Sequence, residues 1–361
     1  MTARIIAARR TAVVPQGGAF SRLRIEDLAA PVVQAVLADA GIAADQVDEL
    51  ICANALGAGG NPARRVALAA GLPERVAGLS IDRQCAGGLD AIALAAALVA
   101  SGQARMVIAG GVESHSLRPL RAMPDPEGGP ARPYEQAPFT PWPDRDPDMA
   151  QAAAALGARL GIGREEADLY AVESHRRAGG ADFRPEIVPL ADVGRDSFTR
   201  RLTMAVAGRA KVISGPVTAA NTAVAADAAG FVLVVGPQVA AGRGLRIAAS
   251  ATLGADPVEP GLAPVPAIAA SMGRAGLRPG DLAQAEVMEA YAVQAIACIR
   301  GAGLDPAVVN PKGGALARGH PIGASGAILA VRLFHDLRAG RGLAAIASAG
   351  GIGAAMVLAA D

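Results

Sequence analysis

The segment 81–89, IDRQCAGGL, follows a short strand-like run and opens a helical run, rich in Ala and Leu, that continues to residue 100. A strand that turns directly into a helix is the building unit of α/β proteins. The turn places Cys85 at the predicted helix start, where free N–H groups and the helix dipole favour the thiolate. Gly87 and Gly88 allow the backbone to approach a substrate closely. This arrangement suits covalent acyl transfer, although a buried structural cysteine would have the same local sequence.

Short apolar strands alternate with helical runs along both ends of the chain. The predicted strands include 4–8, 47–53 and 105–109, and the predicted helices include 25–40 and 63–70. This βαβ alternation predicts a largely parallel sheet that is buried on both faces.

The central region differs, because residues 116–147 contain nine prolines and the single tryptophan of the chain, Trp142. A loop of this length without regular structure is usually functional or flexible. The βα alternation returns from residue 245.

Two distant segments have the same order of elements. Cys85 leads into a helix, then a strand and the turn Gly110-Gly111, whereas His320 leads into a helix, then a strand and the turn Gly350-Gly351. If this similarity reflects a duplication, Cys85 and His320 lie at equivalent helix N-termini and face one pocket across a pseudo-twofold axis.

Composition limits the class of protein. The chain has 361 residues, of which 52% are hydrophobic and only 3% aromatic, so a large core must be built from small aliphatic side chains. A net charge of +1 argues against a nucleic-acid-binding surface. The three cysteines, Cys52, Cys85 and Cys298, are far apart and suggest neither disulfides nor a metal site, and we expect Cys298 to be a core residue. We find no signal peptide and no apolar run of about 20 residues, and therefore expect a cytoplasmic protein without a membrane contact.

Nine segments, taken together, resemble the thiolase family along essentially the whole chain. They are RT (10–11), GGNPAR (59–64), AAGLP (69–73), RQCAGGL (83–89), GGVES (110–114), FRPEIVP (183–189), GPVTAAN (215–221), PVPA (264–267) and GGALARGHPIGASG (313–326). The resemblance implies the duplicated five-layer α-β-α-β-α thiolase fold, with halves 1–242 and 243–361 and an inserted loop domain at about 116–212. It also implies a homodimer or homotetramer.

The same resemblance implies coenzyme A thioesters as substrates, with coenzyme A as a substrate and no separate cofactor or metal. Cys85 would be the acylated nucleophile, and His320 would be its base. The chemistry agrees, because a free thiol has a pKa of about 8.5 and needs a neighbouring base at pH 7. Among the other histidines, we expect His175 and His335 to be solvated, whereas His115 could border the site.

The sequence departs from the family pattern where a second catalytic cysteine is expected. The segment 346–353 reads IASAGGIG, and the position of that cysteine is occupied by Ala347. Ser348 is the nearest residue with an exchangeable proton, but a hydroxyl is a much weaker acid than a thiol. Ser348, Ala349, Gly350 and Glu289 are therefore candidates for the second site and the oxyanion hole.

Two further departures concern substrate binding. Met288 replaces the asparagine of the family's Asn-Glu-Ala-Phe segment, which holds an oxyanion-hole water, and Ala223 replaces the serine of its Asn-Ala-Ser segment, which contacts coenzyme A. Met288 and Ala223 are the substrate-binding candidates. The stretch between Pro189 and Gly215 is also short for the family.

These departures leave three functional hypotheses. The first is a thiolase-like acyltransferase that carries the acyl group on Cys85, with thiolysis of 3-oxoacyl-CoA or transfer to another acceptor. The second is a catalytically weak subunit with a binding or assembly role. The third is a decarboxylative condensing enzyme, in which loss of CO₂ generates the enolate without a proton-abstracting base.

Overall fold

The computed structural model describes residues 3–57 and 59–360. The strands in this part of the chain are β1 (Arg4–Thr11), β2 (Val14–Pro15), β3 (Glu49–Ala53), β4 (Leu79–Ile81), β5 (Met106–Glu113), β6 (Arg121–Met123), β7 (Arg132–Tyr134), β8 (Ile187–Val188), β9 (Val212–Ser214), β10 (Val217–Thr218), β11 (Ala226–Val235), β12 (Leu245–Gly254), β13 (Gln284–Val287), β14 (Gly340–Ser348) and β15 (Ile352–Ala360). The helices are α1 (Ile25–Ala40), α2 (Pro62–Ala69), α3 (Gly87–Ser101), α4 (Met149–Leu160), α5 (Arg164–Gly179), α6 (Met204–Ala207), α7 (Pro237–Ala240), α8 (Pro264–Ala275), α9 (Ala292–Gly301), α10 (Ala315–Arg318) and α11 (Ile322–Asp336).

The main sheet is mixed, with the strand order β13-β14-β15-β12-β1-β11-β5-β3-β4. Parallel pairs occur towards its two ends, between β13 and β14 and among β5, β3 and β4, whereas the pairs from β14 to β5 in this order are antiparallel. The short strand β8, which lies outside this order, pairs in parallel with the end of β1. The prediction of a largely parallel sheet was therefore wrong at the centre. In the second half the reason is local, since only residues 349–351 join β14 to β15, and so short a connection forces antiparallel pairing.

The strand order confirms the predicted duplication. From the centre outwards, β1-β11-β5-β3 in the first half corresponds to β12-β15-β14-β13 in the second, with the same relative directions. The two halves join where β1 pairs with β12 in antiparallel register.

The helices and the two halves of the sheet form five layers. Helices α1 and α2 cover the outer face of the first half, and α8 covers the outer face of the second. Helices α3 and α11 contact each other and strands of both halves, so they form the middle layer. Successive side chains of β11 point to opposite faces of the sheet. Phe231 and Leu233 face the outer core cluster, whereas Val232 and Val234 face the middle one.

The middle layer also contains an apolar stretch that is long enough to cross a membrane, although we predicted none from the sequence. Within residues 3–57 and 59–360, the 18-residue stretch Gln84–Ser101 is the one candidate span that is long and apolar enough to cross a membrane. It contains α3, which contacts α11, β5 and β11 inside the molecule. The stretch has the position of a core helix.

The proline-rich region forms more structure than we predicted. It contains the hairpin of β6 and β7 and a 3₁₀ turn at Pro143–Arg145. Trp142 is half-exposed, and the guanidinium of Arg145 lies 5.4 Å from the centre of its ring.

Candidate active site

Cys85 lies in a 3₁₀ turn, Gln84–Ala86, between β4 and α3. Gln84 has the left-handed conformation with φ 47°, which is unusual for a residue with a side chain. The Asp82 carboxylate stabilises this turn, since Oδ1 accepts hydrogen bonds from the backbone N–H of Gln84 at 2.8 Å and from its side-chain amide at 3.0 Å. The turn presents the Cys85 thiol at the mouth of the helix, as the sequence predicts.

The glycines behind Cys85 have a different role from the predicted approach to a substrate. A Cβ atom on Gly88 would lie 2.6 Å from the backbone nitrogen of Ala327 in α11, and one on Gly326 would lie 2.6 Å from the backbone nitrogen of Leu89 in α3. Helices α3 and α11 therefore cross at two glycines, where only the missing side chains permit such close contact. This crossing brings the N-termini of the two helices together.

His320 lies directly before α11 and faces Cys85. Its Nε2 is 3.1 Å from the Cys85 Sγ, and its Nδ1 is 2.7 Å from the Ser325 Oγ. The backbone N–H of His320 donates to the carbonyl of Val224 at 2.7 Å, which fixes the chain at this point. If Nδ1 carries the proton of the neutral ring and donates a hydrogen bond to the Ser325 hydroxyl, Nε2 is free to accept the proton of the Cys85 thiol.

Burial determines the resting protonation of this pair. Burial raises the pKa of the Cys85 thiol to about 12 and lowers the pKa of the His320 imidazole to about 4. Desolvation therefore disfavours the thiolate, contrary to our sequence-based expectation of a favoured thiolate. At neutral pH both groups are uncharged, and the His320 Nε2 is placed to accept the proton of the Cys85 thiol.

Cys85 and His320 open onto a cavity of about 360 Å³. Of the other predicted site residues, Ala223, Ser348 and Ala349 also line it, and so does Ala347. Met288 is only 2% exposed and belongs to the apolar cluster against which Cys85 and Ala223 pack. Gly350, with φ 75°, lies in the turn after β14, beside the cavity-lining Ala349.

Glu289 is held away from this cavity by four hydrogen bonds. Its carboxylate accepts from the Tyr170 hydroxyl at 3.2 Å, the Ser174 hydroxyl at 2.8 Å, the Asn310 side-chain amide at 2.7 Å and the backbone N–H of Leu316 at 3.2 Å. These bonds connect the segment after β13 to α5 and to the start of α10. This geometry indicates that Glu289 holds these segments together.

The end of β14 offers no free acid or base to the cavity among the described residues. Ala347 contributes only a methyl group, and Ser348 is 2% exposed, with its hydroxyl donating to the carbonyl of Arg83 at 3.1 Å. Ser348 is therefore committed to a structural hydrogen bond.

Of the three remaining histidines, one lies where the sequence suggested and two do not. His115 lines the cavity, as the sequence suggested. His175 was expected to be solvated, but it is 1% exposed and accepts a hydrogen bond from the backbone N–H of Arg200 at 3.3 Å. His335 is half-buried, with its Nε2 2.8 Å from the carbonyl of Ala8. The predictions for His175 and His335 were wrong, because contacts with distant segments, Phe198 and Arg200 for His175 and Ala8 for His335, replace water at both rings. Cys298 is fully buried, as predicted.

Sequence reasoning did not single out two residues that support the site. Ser325 bonds to His320, as described above. The buried carboxylate of Glu113, at the end of β5, accepts hydrogen bonds from the backbone N–H groups of Ala55, Leu56 and Gly323 at 3.0–3.2 Å. Burial raises the pKa of Glu113 to about 7. Both residues lie within the quoted segments 110–114 and 313–326, so their position in a motif was the available signal.

Within the described ranges, no group of three or more His, Cys, Asp or Glu side chains is arranged to hold a metal ion.

Comparison with known proteins agrees with this geometry. The model of the thiolase N-terminal domain matches residues 3–238, and that of the thiolase C-terminal domain matches residues 243–360. The chain is 39% identical to the acetyl-CoA acetyltransferase of Paracoccus denitrificans and 37% identical to that of Shinella zoogloeoides, with 98% of both chains covered in each case. The crystal structure of human mitochondrial 3-ketoacyl-CoA thiolase in complex with CoA superposes with a TM-score of 0.92 at 28% identity, over 100% of this chain and 98% of that one. The chain therefore belongs to the thiolase family, and it is an acyltransferase of the thiolase type.

Proposed function

We propose that this enzyme transfers acyl groups from coenzyme A thioesters through an acyl-Cys85 intermediate, with His320 as the base. The observation that carries the proposal is the 3.1 Å contact between the Cys85 Sγ and the His320 Nε2 inside the cavity. A hydrogen-bonded nucleophile and base, with the base itself oriented by a third group, is the arrangement that nucleophilic catalysis requires.

The first half-reaction follows from this geometry. The Cys85 Sγ forms a bond to the thioester carbonyl carbon while its proton passes to the His320 Nε2. The bond between that carbon and the sulfur of coenzyme A then breaks, and the departing sulfur takes the proton from His320. The products are acyl-Cys85 and free coenzyme A, and both protein groups are neutral again.

The acyl group leaves Cys85 by attack of an acceptor. Coenzyme A as acceptor reverses the first step. In thiolysis of a 3-oxoacyl-CoA, the Cys85 Sγ instead attacks the 3-oxo carbon while its proton passes to His320, and the bond from that carbon to the α-carbon breaks. The shortened thioester leaves as an enolate that takes the proton from His320, and coenzyme A then takes the acyl group from Cys85. The backbone N–H groups of Ala349 and Gly350, in the turn after β14, are the proposed donors to the oxyanion. Ala223, which lines the cavity, and Met288, which packs beneath it, are proposed to contact the substrate.

The contact between Cys85 and His320 favours catalysis over a purely binding role. Burial of a neutral thiol and imidazole side by side has no evident structural purpose that apolar side chains would not serve as well. A decarboxylative condensation would use the same acyl-Cys85 intermediate, and no residue in the cavity specifically favours it.

Intact-protein mass spectrometry tests the intermediate. The enzyme is incubated with a panel of acyl-CoA and 3-oxoacyl-CoA substrates, and both the protein mass and the release of free coenzyme A are recorded. We expect one acyl increment on the wild type and on Cys298→Ala, which removes a buried cysteine outside the cavity, and no increment on Cys85→Ala. An unmodified wild type, under conditions that acylate another thiolase, would refute the proposal.

The organisation of the molecule is part of the same proposal. We propose two halves, 1–242 and 243–361, with a loop domain at about 116–212, in a cytoplasmic homodimer or homotetramer that binds acyl-CoA and CoA. The mirrored strand order supports the two halves, and the three free cysteines suit a reducing compartment. Light scattering of the purified enzyme measures the number of subunits.

A further inference from the structure

Formation of a carbon–carbon bond between two thioesters needs a base that acyl transfer does not need. This base removes a proton from the α-carbon of one thioester, so that the carbon can attack the carbonyl of the other. His320 is already engaged with Cys85 and Ser325. Ala347 and Ser348, at the end of β14, supply no free base, as described above. A base for the α-proton that is separate from the base of Cys85 therefore has to come from another wall of the cavity.

The cavity contains few candidates. Besides Cys85 and His320, the titratable side chains that line it in the described part of the chain are His115, Arg118, Arg121, Glu135 and Tyr291. The two arginines stay protonated at working pH and cannot accept a proton. Glu135 is paired with Arg118, and its side chain is 82% exposed, so water solvates it. Burial raises the pKa of Tyr291 to about 12, so its phenol keeps its proton.

His115 differs from all of these groups. It lies two residues after β5 and is 9% exposed, and its buried Nδ1 has no hydrogen-bond partner within residues 3–57 and 59–360. A buried polar atom without a partner is rare and usually has a functional explanation. Burial and the nearby Arg118 charge lower the pKa of His115, so the ring is neutral and keeps a lone pair at pH 7. His115 and His320 line the same cavity.

We propose that His115 is the second catalytic acid–base residue of this site and accepts the α-proton of an acyl-CoA that condenses with acyl-Cys85. The proposal rests on the proposed acyl-Cys85 function. The α-carbon gives its proton to the neutral imidazole of His115 and forms a bond to the carbonyl carbon of acyl-Cys85. The bond from that carbon to the Cys85 Sγ breaks, and the sulfur keeps the electron pair. The proton on His115 then returns to the Cys85 thiolate, so the products are a 3-oxoacyl-CoA and the free enzyme.

Deuterium exchange tests this role separately from acylation. The enzyme is incubated with acetyl-CoA in D₂O, and deuterium at the acetyl carbon is followed by NMR, while acyl-Cys85 is followed by mass spectrometry. We expect His115→Gln to exchange about 100-fold more slowly than the wild type, because a general base contributes about 10²–10⁴-fold. Acylation of Cys85 should slow much less than exchange does, since His320 performs that step.

The matched control is His175→Gln, which changes a buried histidine outside the cavity. It should leave both exchange and acylation unchanged. Exchange that persists in His115→Gln would overturn the proposal, and so would an acylated wild type that exchanges no α-proton. The second result needs no variant, so it holds even if His115→Gln does not fold. A wild type that is never acylated would instead refute the proposed function and this inference with it.

Discussion

At the scale of single residues, the site depends on a short chain of hydrogen-bonded side chains that burial keeps uncharged. Cys85, His320 and Ser325 follow one another at 3.1 Å and 2.7 Å, and burial raises the pKa of Cys85 and lowers that of His320. Because burial disfavours both the thiolate and the imidazolium, the proposed attack of Cys85 on a thioester requires proton transfer to His320 in the same step. The role of Ser325 is then to fix the orientation and the tautomer of the His320 ring.

The role of Ser325 can be tested by removing its hydroxyl. Ser325→Ala leaves His320 Nδ1 without its partner, and an unsatisfied buried group costs about 1–3 kcal/mol. We expect the rate of Cys85 acylation to fall by about 10–100-fold, since about 1.4 kcal/mol corresponds to a factor of ten. The rate is measured by rapid-quench mass spectrometry with saturating acyl-CoA.

The control for this variant makes the same chemical change at a distance from the site. Ser271 is fully buried in α8, and its hydroxyl donates to the carbonyl of Ile268 at 3.0 Å. Ser271→Ala should acylate at the wild-type rate. Equal rates for Ser325→Ala and wild type would mean that the hydrogen bond does not position His320.

At the scale of secondary-structure elements, the crossing of α3 and α11 assembles the site. Each helix starts beside one reacting residue, and glycines at the crossing let the two backbones meet. The carboxylate of Glu113 stabilises the same region, because it accepts from the N–H of Gly323 in the first turn of α11. The distance between Cys85 and His320 is therefore a consequence of helix packing.

A methyl group at the crossing should separate the two helices. In Gly88→Ala the new Cβ would lie 2.6 Å from the Ala327 nitrogen and 2.9 Å from the Gly323 carbonyl oxygen, neither of which can rotate away. We expect a loss of about 1–3 kcal/mol in the free energy of unfolding, as in other overpacked sites. Acylation should also slow, because the Cys85 to His320 distance increases.

Gly273→Ala is the comparison for this prediction. Gly273 lies in α8, and a Cβ atom there meets nothing within 4 Å. The substitution should stabilise the protein by about 0.4–1 kcal/mol through a reduced entropy of the unfolded chain. Urea denaturation of both variants measures the difference in their free energies of unfolding. Similar values would show that α3 and α11 do not make a close contact at the crossing.

At the scale of the whole molecule, buried ion pairs join three parts of the chain. Arg10 in β1 lies 2.6 Å from both Glu186 and Asp196, which belong to the proposed loop domain. Glu186 also pairs with Arg332 in α11, in the second half. The guanidinium of Arg332 lies over the ring of Phe183 at 4.7 Å. This network fixes the segment 183–196 against β1 and α11.

The network predicts a strong effect of one substitution. Arg10→Met leaves the buried Asp196 carboxylate without its bidentate partner, and breaking a buried pair costs about 3–5 kcal/mol. We expect a clear decrease in the urea midpoint of unfolding. Arg184→Met, which breaks a fully solvated pair with Asp182, should leave the midpoint almost unchanged. An unchanged midpoint in Arg10→Met would show that the pairs contribute no net stability.

The sequence by itself determined the local elements and the candidates for the reacting residues. The predicted helix 25–40 has the bounds of α1, because its acidic first turn and its final Gly41 are local signals. The motifs identified the family, the candidates Cys85 and His320, and the loss of the second cysteine at Ala347. Only the tertiary structure decided what depends on contacts between distant segments. These are the antiparallel centre of the sheet, the meeting of two residues 235 positions apart, and the burial that keeps Cys85 and His320 neutral. Burial and crossing geometry arise when the two halves fold against each other, so no local pattern encodes them.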